Sequence, residues 1–390
     1  MKPSADLEKG AVGASSIQRH FGTLPDPRVQ RGQAHLLLDV VTIAILAVIA
    51  GAKGWDDMEV YAKAHEPWLR GFLELPGGPP SDDTFRRIFV RLNAKAFRNR
   101  FIAWMSALAG SVAGMLIAID GKTLRRSFDC ASGRTALHLV HAWAAENRVL
   151  LGQVATAEKS NEITAIPELL DLLELKGAIV TIDAMGCQRK IVEKIVEKGA
   201  DYAIALKGNQ EKLHDEVAGY LDAAIADGGA RMFETRDEGH GRVEVRRLYA
   251  VSNVAWLSAI DAWPGLRSLV CVERERTANG KTSVERIHYI TSIPAHHVRR
   301  LARIIRGHWG VENALHWSLD VSFNEDACRI RSGDGPENFA LLRRIALILL
   351  RRESSMRAGA PTKLFRAAAD PRYAMRVLLT GIPAESNEGT

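Results

Sequence analysis

The sequence predicts an α/β protein whose mixed sheet core is interrupted by a mostly β segment and preceded by an all-helical region. Three observations predict it. The first hundred or so of the 390 residues show helical patterning only. Beyond them, Met115-Leu-Ile-Ala-Ile-Asp120 and Ala178-Ile-Val-Thr-Ile-Asp183 are short apolar, β-branched runs that read as buried strands, each closed by an aspartate with a glycine within three residues. Between and after them, strand and helix patterns alternate in an order that requires parallel crossovers.

Taken in order, residues 1–20 read as loosely ordered, and Leu24-Pro-Asp-Pro-Arg28 as a turn, since each proline pushes its predecessor out of helix. Helices are expected over about 36–52, 56–74 and 94–112. The break at Leu75-Pro-Gly-Gly-Pro-Pro80 precedes Ser81, a good N-cap with acidic residues in the following turn. Residues 1–112 are therefore read as a helical N-terminal domain. A strand at 115–120 leads to an arginine-containing loop; Ala136–Ala144 and Val149–Thr156 form a hairpin around a turn at 146–148. A helix starts near Asn161 and stops at Gly177. The strand to Asp183, a helix over 187–198 and a strand over 201–206 follow. This β-β-β-α-β-α-β order is that of the ribonuclease-H-like fold, in which the first and fourth strands lie side by side and would bring Asp120 and Asp183 together. Residues 113–209 are the first part of that core. Residues 210–292 read as a mostly β insertion, with a helix and then strands near 231–252, 268–276 and 283–292. Residues 293–390 return to helix, one running to about Leu319 and one over 337–352, and then a C-terminal tail.

Composition bounds the function. With 47% hydrophobic and 25% charged residues the chain is an ordinary globular one. Its 52 basic and 46 acidic residues give a net charge of +6, which permits a nucleic-acid partner without requiring one. Cys130, Cys187, Cys271 and Cys328 lie far apart, against a zinc knuckle or a disulfide scaffold and in keeping with a reducing cytoplasm. No export signal is visible. The apolar run Leu36–Ala52 is short for a membrane span and carries Asp39, so it is expected to be a buried core helix.

A two-metal phosphoryl-transfer site needs carboxylates from different elements to hold hard cations by oxygen. Asp120 and Asp183 supply two; either taken alone reads as a cap or turn residue. Glu312, within His308-Trp-Gly-Val-Glu-Asn-Ala-Leu-His316, is the best third, and on a continuous helix His308, Glu312 and His316 would share one face. Several stretches carry a wider pattern: Leu24–Arg28, Pro80–Arg87, Ile117–Arg125, Thr181–Gln188, Leu206–Gln210, Gly239–Glu244 and His308–Asp326. In order and spacing they resemble the DDE-type insertion-sequence transposases, in particular the group containing the H-repeat-associated proteins, over about residues 20 to 380.

The resemblance implies a DNA transposase with Asp120, Asp183 and Glu312 as its catalytic, metal-binding triad. It also implies Mg²⁺ as cofactor with Mn²⁺ able to substitute, and terminal repeats and target DNA as partners, paired by a homodimer. The wider family carries Tyr, Arg and Lys around its catalytic Glu, where this chain has Ile305, His308 and Leu319. His308, His316, Arg329 and Arg331 are the candidates to contact phosphate instead. Lys122, Arg125 and Arg126 beyond the first Asp, and Lys207 and Asn209 beyond a strand end, are further candidate DNA contacts, each reading equally as a solvated loop or turn. Arg86 and Arg87 are candidates for end recognition, and Arg242–Arg247 reads as an exposed strand or a DNA-contacting ribbon. Two rivals stand beside this reading. One is a catalytically silent DNA-binding relative, which would be expected to have lost a carboxylate. The other is a zinc hydrolase on His308, Glu312 and His316, which leaves both aspartates unexplained.

Overall fold

The computed structural model describes residues 17–29, 33–128, 133, 135–156, 162–239 and 241–382. Most of the segment read as loosely ordered, Cys130 and Asn161 lie outside them. After a short helical stretch over 17–21, in part of the segment expected to be loosely ordered, come helices α1 (Leu37–Ile49), α2 (Trp55–Ala64), α3 (Asp82–Arg91) and α4 (Ala94–Ala109). Ser81 caps α3 as expected, its hydroxyl accepting from the Thr84 amide at 3.3 Å. The α1 run is apolar on all sides because it is buried on all sides, from Asp39 to Ile49. Asp39 accepts the Leu75 amide at 2.9 Å.

Strands β1 (Leu116–Thr123), β2 (His138–Ala144) and β3 (Val149–Thr156) form an antiparallel meander. Helix α5 (Glu162–Asp171) crosses to β4 (Ile179–Ile182), and α6 (Arg189–Glu197) to β5 (Asp201–Leu206). β4 lies parallel to β1, from Leu116↔Ile179 to Ile119↔Ile182, and β5 lies parallel to β4. Asp120 and Asp183 thus follow the last paired residues of two neighbouring strands. One correction applies: β1 does not end at Asp120 but runs on to Thr123, still paired with β2.

After α7 (Glu211–Ala226) come β6 (Arg231–Gly239), β7 (Arg242–Val251), β8 (Ser268–Ala278) and β9 (Lys281–Thr291), all antiparallel. They do not make a sheet of their own. β9 pairs with β5, giving one nine-stranded sheet in the order β3-β2-β1-β4-β5-β9-β8-β7-β6.

Helix α8 (Val298–His308) lies across β1 and β4, burying Leu301, Ile304 and Ile305 on them. Its approach is close enough that a Cβ on Gly307 would meet the Leu116 side chain, which would have to shift. The sequence predicts one helix to about Leu319; instead α8 stops at His308, a π-helical segment covers Val311–His316, and α9 (Trp317–Phe323) follows. Helix α10 (Gly335–Arg352) is buried along nearly its whole length and packs on α1, α3, α4 and β3. The tail carries two further helices, α11 (Ala360–Ala369) and α12 (Pro371–Leu379), which pack on α1 and α10. The helices of residues 37–109 thus share one apolar core with the C-terminal helices and one face of the sheet. Among the described residues no helix is long and apolar enough to cross a membrane.

Candidate active site

Where the β1–β4 pairing stops, the sheet, α8 and the π segment enclose a cavity of about 340 Å³ lined by Asp120, Asp183, Glu312, Lys207, His308 and His316 among others. All three sequence-predicted carboxylates therefore line one cavity, from three separate elements. Asp183 is exposed and also serves as a cap, its Oδ1 accepting the Met185 amide at 3.1 Å and the Gly186 amide at 3.4 Å. Asp120 is three-quarters buried. Its Oδ1 accepts the Gly121 amide at 2.9 Å, and its Oδ2 lies 3.5 Å from Nδ1 of His316. Burial pushes the Asp120 carboxyl up to about 7, with the charges of Asp183, Glu162 and Glu312 adding to the rise and the Gly121 hydrogen bond opposing it.

Glu312 is exposed to the cavity, and its π-helical setting has a visible cause. Arg351 of α10 reaches into the segment, donating to the Ala314 carbonyl and, at 2.8 Å, to the Ser318 hydroxyl. A side chain that takes a helix carbonyl in this way competes with the helical ladder. Half-buried against Trp143, with its guanidinium 5.4 Å from the ring centre, Arg351 has its pKa pushed down by desolvation to about 10.

No local signal in the sequence points to Glu162, His141, Arg344, Glu325 or Arg351. Glu162 is buried with its Oε1 2.5 Å from His138 Nε2, and this pair packs so closely on β1 that a Cβ on Gly121 would collide with both. His141 pairs with Asp120 across β1 and β2, which puts both side chains on one face. His141 stands 3.3 Å from His316 and 3.1 Å from Arg344, and Arg344 is paired with Glu325 at 2.6 Å. Burial, with Arg344 adding to it, holds His141 well below the usual imidazole range. Burial, then Lys122 and Arg344, pushes His316 down to about 3. Burial alone would raise Glu325, but Arg344 and Arg343 hold it down.

The candidate DNA contacts divide. Lys122 is buried, its ammonium between Asp320 at 2.8 Å and Asp326 at 3.1 Å. Asn209 donates to the Ala184 carbonyl at 2.7 Å and so braces the turn after Asp183. His308 pairs its Nδ1 with the Thr181 hydroxyl at 3.0 Å, and His316 points inward. Each of these four has a polar atom engaged within the protein, Asn209 from an exposed position. Lys207, Arg126 and Arg329 are exposed, as is Arg125, which touches Asp326 at 3.1 Å. Arg331 donates to the Arg126 carbonyl at 3.1 Å and sits over Phe128. Arg86 pairs with Asp83 at 2.5 Å and Arg87 with the same carboxylate at 3.1 Å, both at the surface.

The comparisons with known proteins decide the family. The family model described as "Transposase DDE domain" matches residues 113–349, and one described as "DDE_Tnp_1-associated" matches residues 18–105. The chain belongs to the DDE transposase family. It is 40% identical over 373 residues to "Putative transposase YncI" of Escherichia coli O157:H7, covering 94% of this chain and 95% of that one. To the "H repeat-associated putative transposase YhhI" of Escherichia coli strain K12 it is 38% identical over 369 residues, covering 93% and 97%. Among solved structures it is similar to a piggyBac transposase synaptic complex with hairpin DNA, at 9% identity and a TM-score of 0.44, covering 99% of this chain and 81% of that one.

The three carboxylates are oxygen donors of the kind a hard divalent cation takes. Burial first, then the neighbouring carboxylates, raises the pKa of Asp120 among them. Among the described residues no three His, Cys, Asp or Glu side chains converge as they stand into a ready-made cage. Mg²⁺ characteristically needs none, binding through one or two carboxylates with waters and substrate phosphate. The zinc alternative fares worse, since His308 and His316 are turned to Thr181 and His141.

Proposed function

We propose that this chain is a DNA transposase that cuts and joins the ends of its own insertion sequence, with Asp120, Asp183 and Glu312 as the ligands of divalent metal ions. What supports the reading most is that carboxylates from β1, from the turn after β4 and from the π segment, far apart in sequence, line one cavity in a chain of this family. In this reading residues 113–209 and the helices from 293 form a ribonuclease-H-like catalytic core, and 210–292 is its β-rich insertion. The helical residues 1–112 recognise the element end, with two copies pairing two ends.

Bound at the carboxylates, Mg²⁺ would supply the Lewis acidity that activates water, and then the freed 3′-hydroxyl, for in-line attack on phosphorus. The protein's own part is to hold the reactants. Asp183 is kept in place by the two amides it caps, and Asp120 by the Gly121 amide on one oxygen. Lys207, at the cavity wall, would take a backbone phosphate, with Arg125, Arg126, Arg329 and Arg331 as further candidates. The buried inner wall formed by Ile182, Ala203 and Ala205 limits the water that reaches the phosphate.

The experiment is cleavage of a labelled element end in Mg²⁺ by the wild type and by Asp183→Ala. Cleavage in the wild type, lost in the variant with end binding retained, is expected. Binding without cleavage by the wild type in both Mg²⁺ and Mn²⁺ would instead make the chain a silent DNA-binding relative.

A further inference from the structure

Behind Asp120 runs a buried polar chain built from four elements. His141 of β2, Arg344 of α10, Glu325 of the turn after α9 and His316 of the π segment are 0%, 0%, 1% and 8% exposed. Burying this many polar groups is costly unless donors and acceptors match, and the matching here gives the chain a direction. A guanidinium has donors only. Arg344 Nε–H therefore donates to His141 Nε2 at 3.1 Å, while its Nη1 and Nη2 donate to the two Glu325 oxygens at 2.6 and 3.3 Å. A ring nitrogen that accepts carries no proton, so the proton of His141 is on Nδ1. That N–H meets Nε2 of His316 at 3.3 Å, which must accept in turn. The proton of His316 is left on Nδ1, the atom 3.5 Å from Asp120 Oδ2.

We propose that Glu325, Arg344 and His141 are positioning residues that fix the Nδ1–H tautomer of His316, so that an N–H rather than a lone pair faces Asp120 Oδ2. Its consequence for cleavage rests on the reading of Asp120 given above; the tautomers themselves do not. The last gap is longer than a formed hydrogen bond and closes with a shift of about 0.5 Å. With the Gly121 amide on Oδ1 and His316 on Oδ2, the plane of the carboxylate is set from both sides. The other tautomer would place a lone pair against a carboxylate and release that plane.

The decisive measurement is a long-range ¹H–¹⁵N correlation on histidine-labelled, metal-free protein at pH 7.5, with His141→Gln and His316→Gln supplying assignments. Both rings are expected to carry the proton on Nδ1; a proton on Nε2 of either overturns the proposal. Two further variants test the consequence. His141→Gln keeps an acceptor for Arg344 and a donor for His316. It should preserve the His316 tautomer and hold Mn²⁺ affinity within about threefold, whereas His141→Leu should mix the tautomers and weaken Mn²⁺ about 10–100-fold. Unchanged tautomer and affinity in His141→Leu would also overturn the proposal. If that variant does not fold, the wild-type spectrum alone decides. A wild type that shows the expected tautomers but never cuts DNA would count against the transposase reading and leave the relay standing.

Discussion

Asp120 is held where a carboxylate is least comfortable, and the discomfort is measurable. Burial first, then the neighbouring carboxylates, puts its pKa at about 7, while an unfolded aspartate titrates near about 4. Between those values the folded chain keeps a proton that the unfolded chain has released. The contribution to stability is present below about pH 4 and is lost as the pH rises through about 7. In the absence of divalent metal, Asp120→Asn should match the wild type near pH 4 and exceed it at pH 8 by on the order of 1–3 kcal/mol, while abolishing cleavage. Denaturant midpoints at the two pH values decide the point; equal midpoints at pH 8 would mean that the carboxylate is not strained. The same competition predicts that Mn²⁺ affinity falls as the pH drops from 8 to 6, by up to about tenfold per unit below 7, since binding must displace the proton. A titration followed by electron paramagnetic resonance reads it directly, and a flat profile would remove Asp120 from the ligand set.

At the scale of elements, the π segment shows best what a sequence can and cannot say. Strands β1 to β5 and the crossovers are legible because β-branched runs, turn residues and helix stops are local signals. The adjacency of Asp120 and Asp183 then follows from strand order alone. Glu312 stands out by resemblance, but its helix reads as continuous, because the cause of the break lies in Arg351, 37 positions beyond Ala314 in the chain. His141, Arg344 and Glu325 are equally invisible. Arg344 is buried only by the approach of α10 to β2, with 203 positions between it and His141. The helices α11 and α12 read as tail, though each opens with a proline in its first turn. Arg351 gives a prediction of its own. Arg351→Met removes both bonds to the π segment while keeping an apolar stem against Trp143. It should let 311–316 relax toward α-helix, raise amide exchange there, and lower the cleavage rate about 10–100-fold with end binding little changed. Unaltered exchange and rate would show that the segment holds its form without the arginine.

Across the whole molecule, the basic surplus is unevenly available. The distal strands β6 to β9 are densely charged, and several of their arginines are already paired. Arg247 is bound by Glu234, Glu273 and Glu275 at 2.8 to 3.1 Å, and Arg246 by Asp237 and Glu244. Arg274 pairs with Glu285, Arg286 with Glu273 and Asp222, and Arg306 with Asp237. A phosphate approaching those residues would have to break pairs already made, whereas Lys207 at the cavity wall and Arg329 are exposed. The DNA path is therefore expected to follow the rim of the carboxylate cavity rather than the ribbon. Removing one cation that binds a phosphate should reduce the slope of log affinity against log salt by about one. Lys207→Ala and Arg329→Ala should each do so and weaken binding to cleaved ends. Arg246→Ala and Arg247→Ala should leave the slope within error, because those charges were never free to displace counterions. If the ribbon variants change the slope and the rim variants do not, the DNA lies on the other half of the sheet, and the cavity must be reached from there.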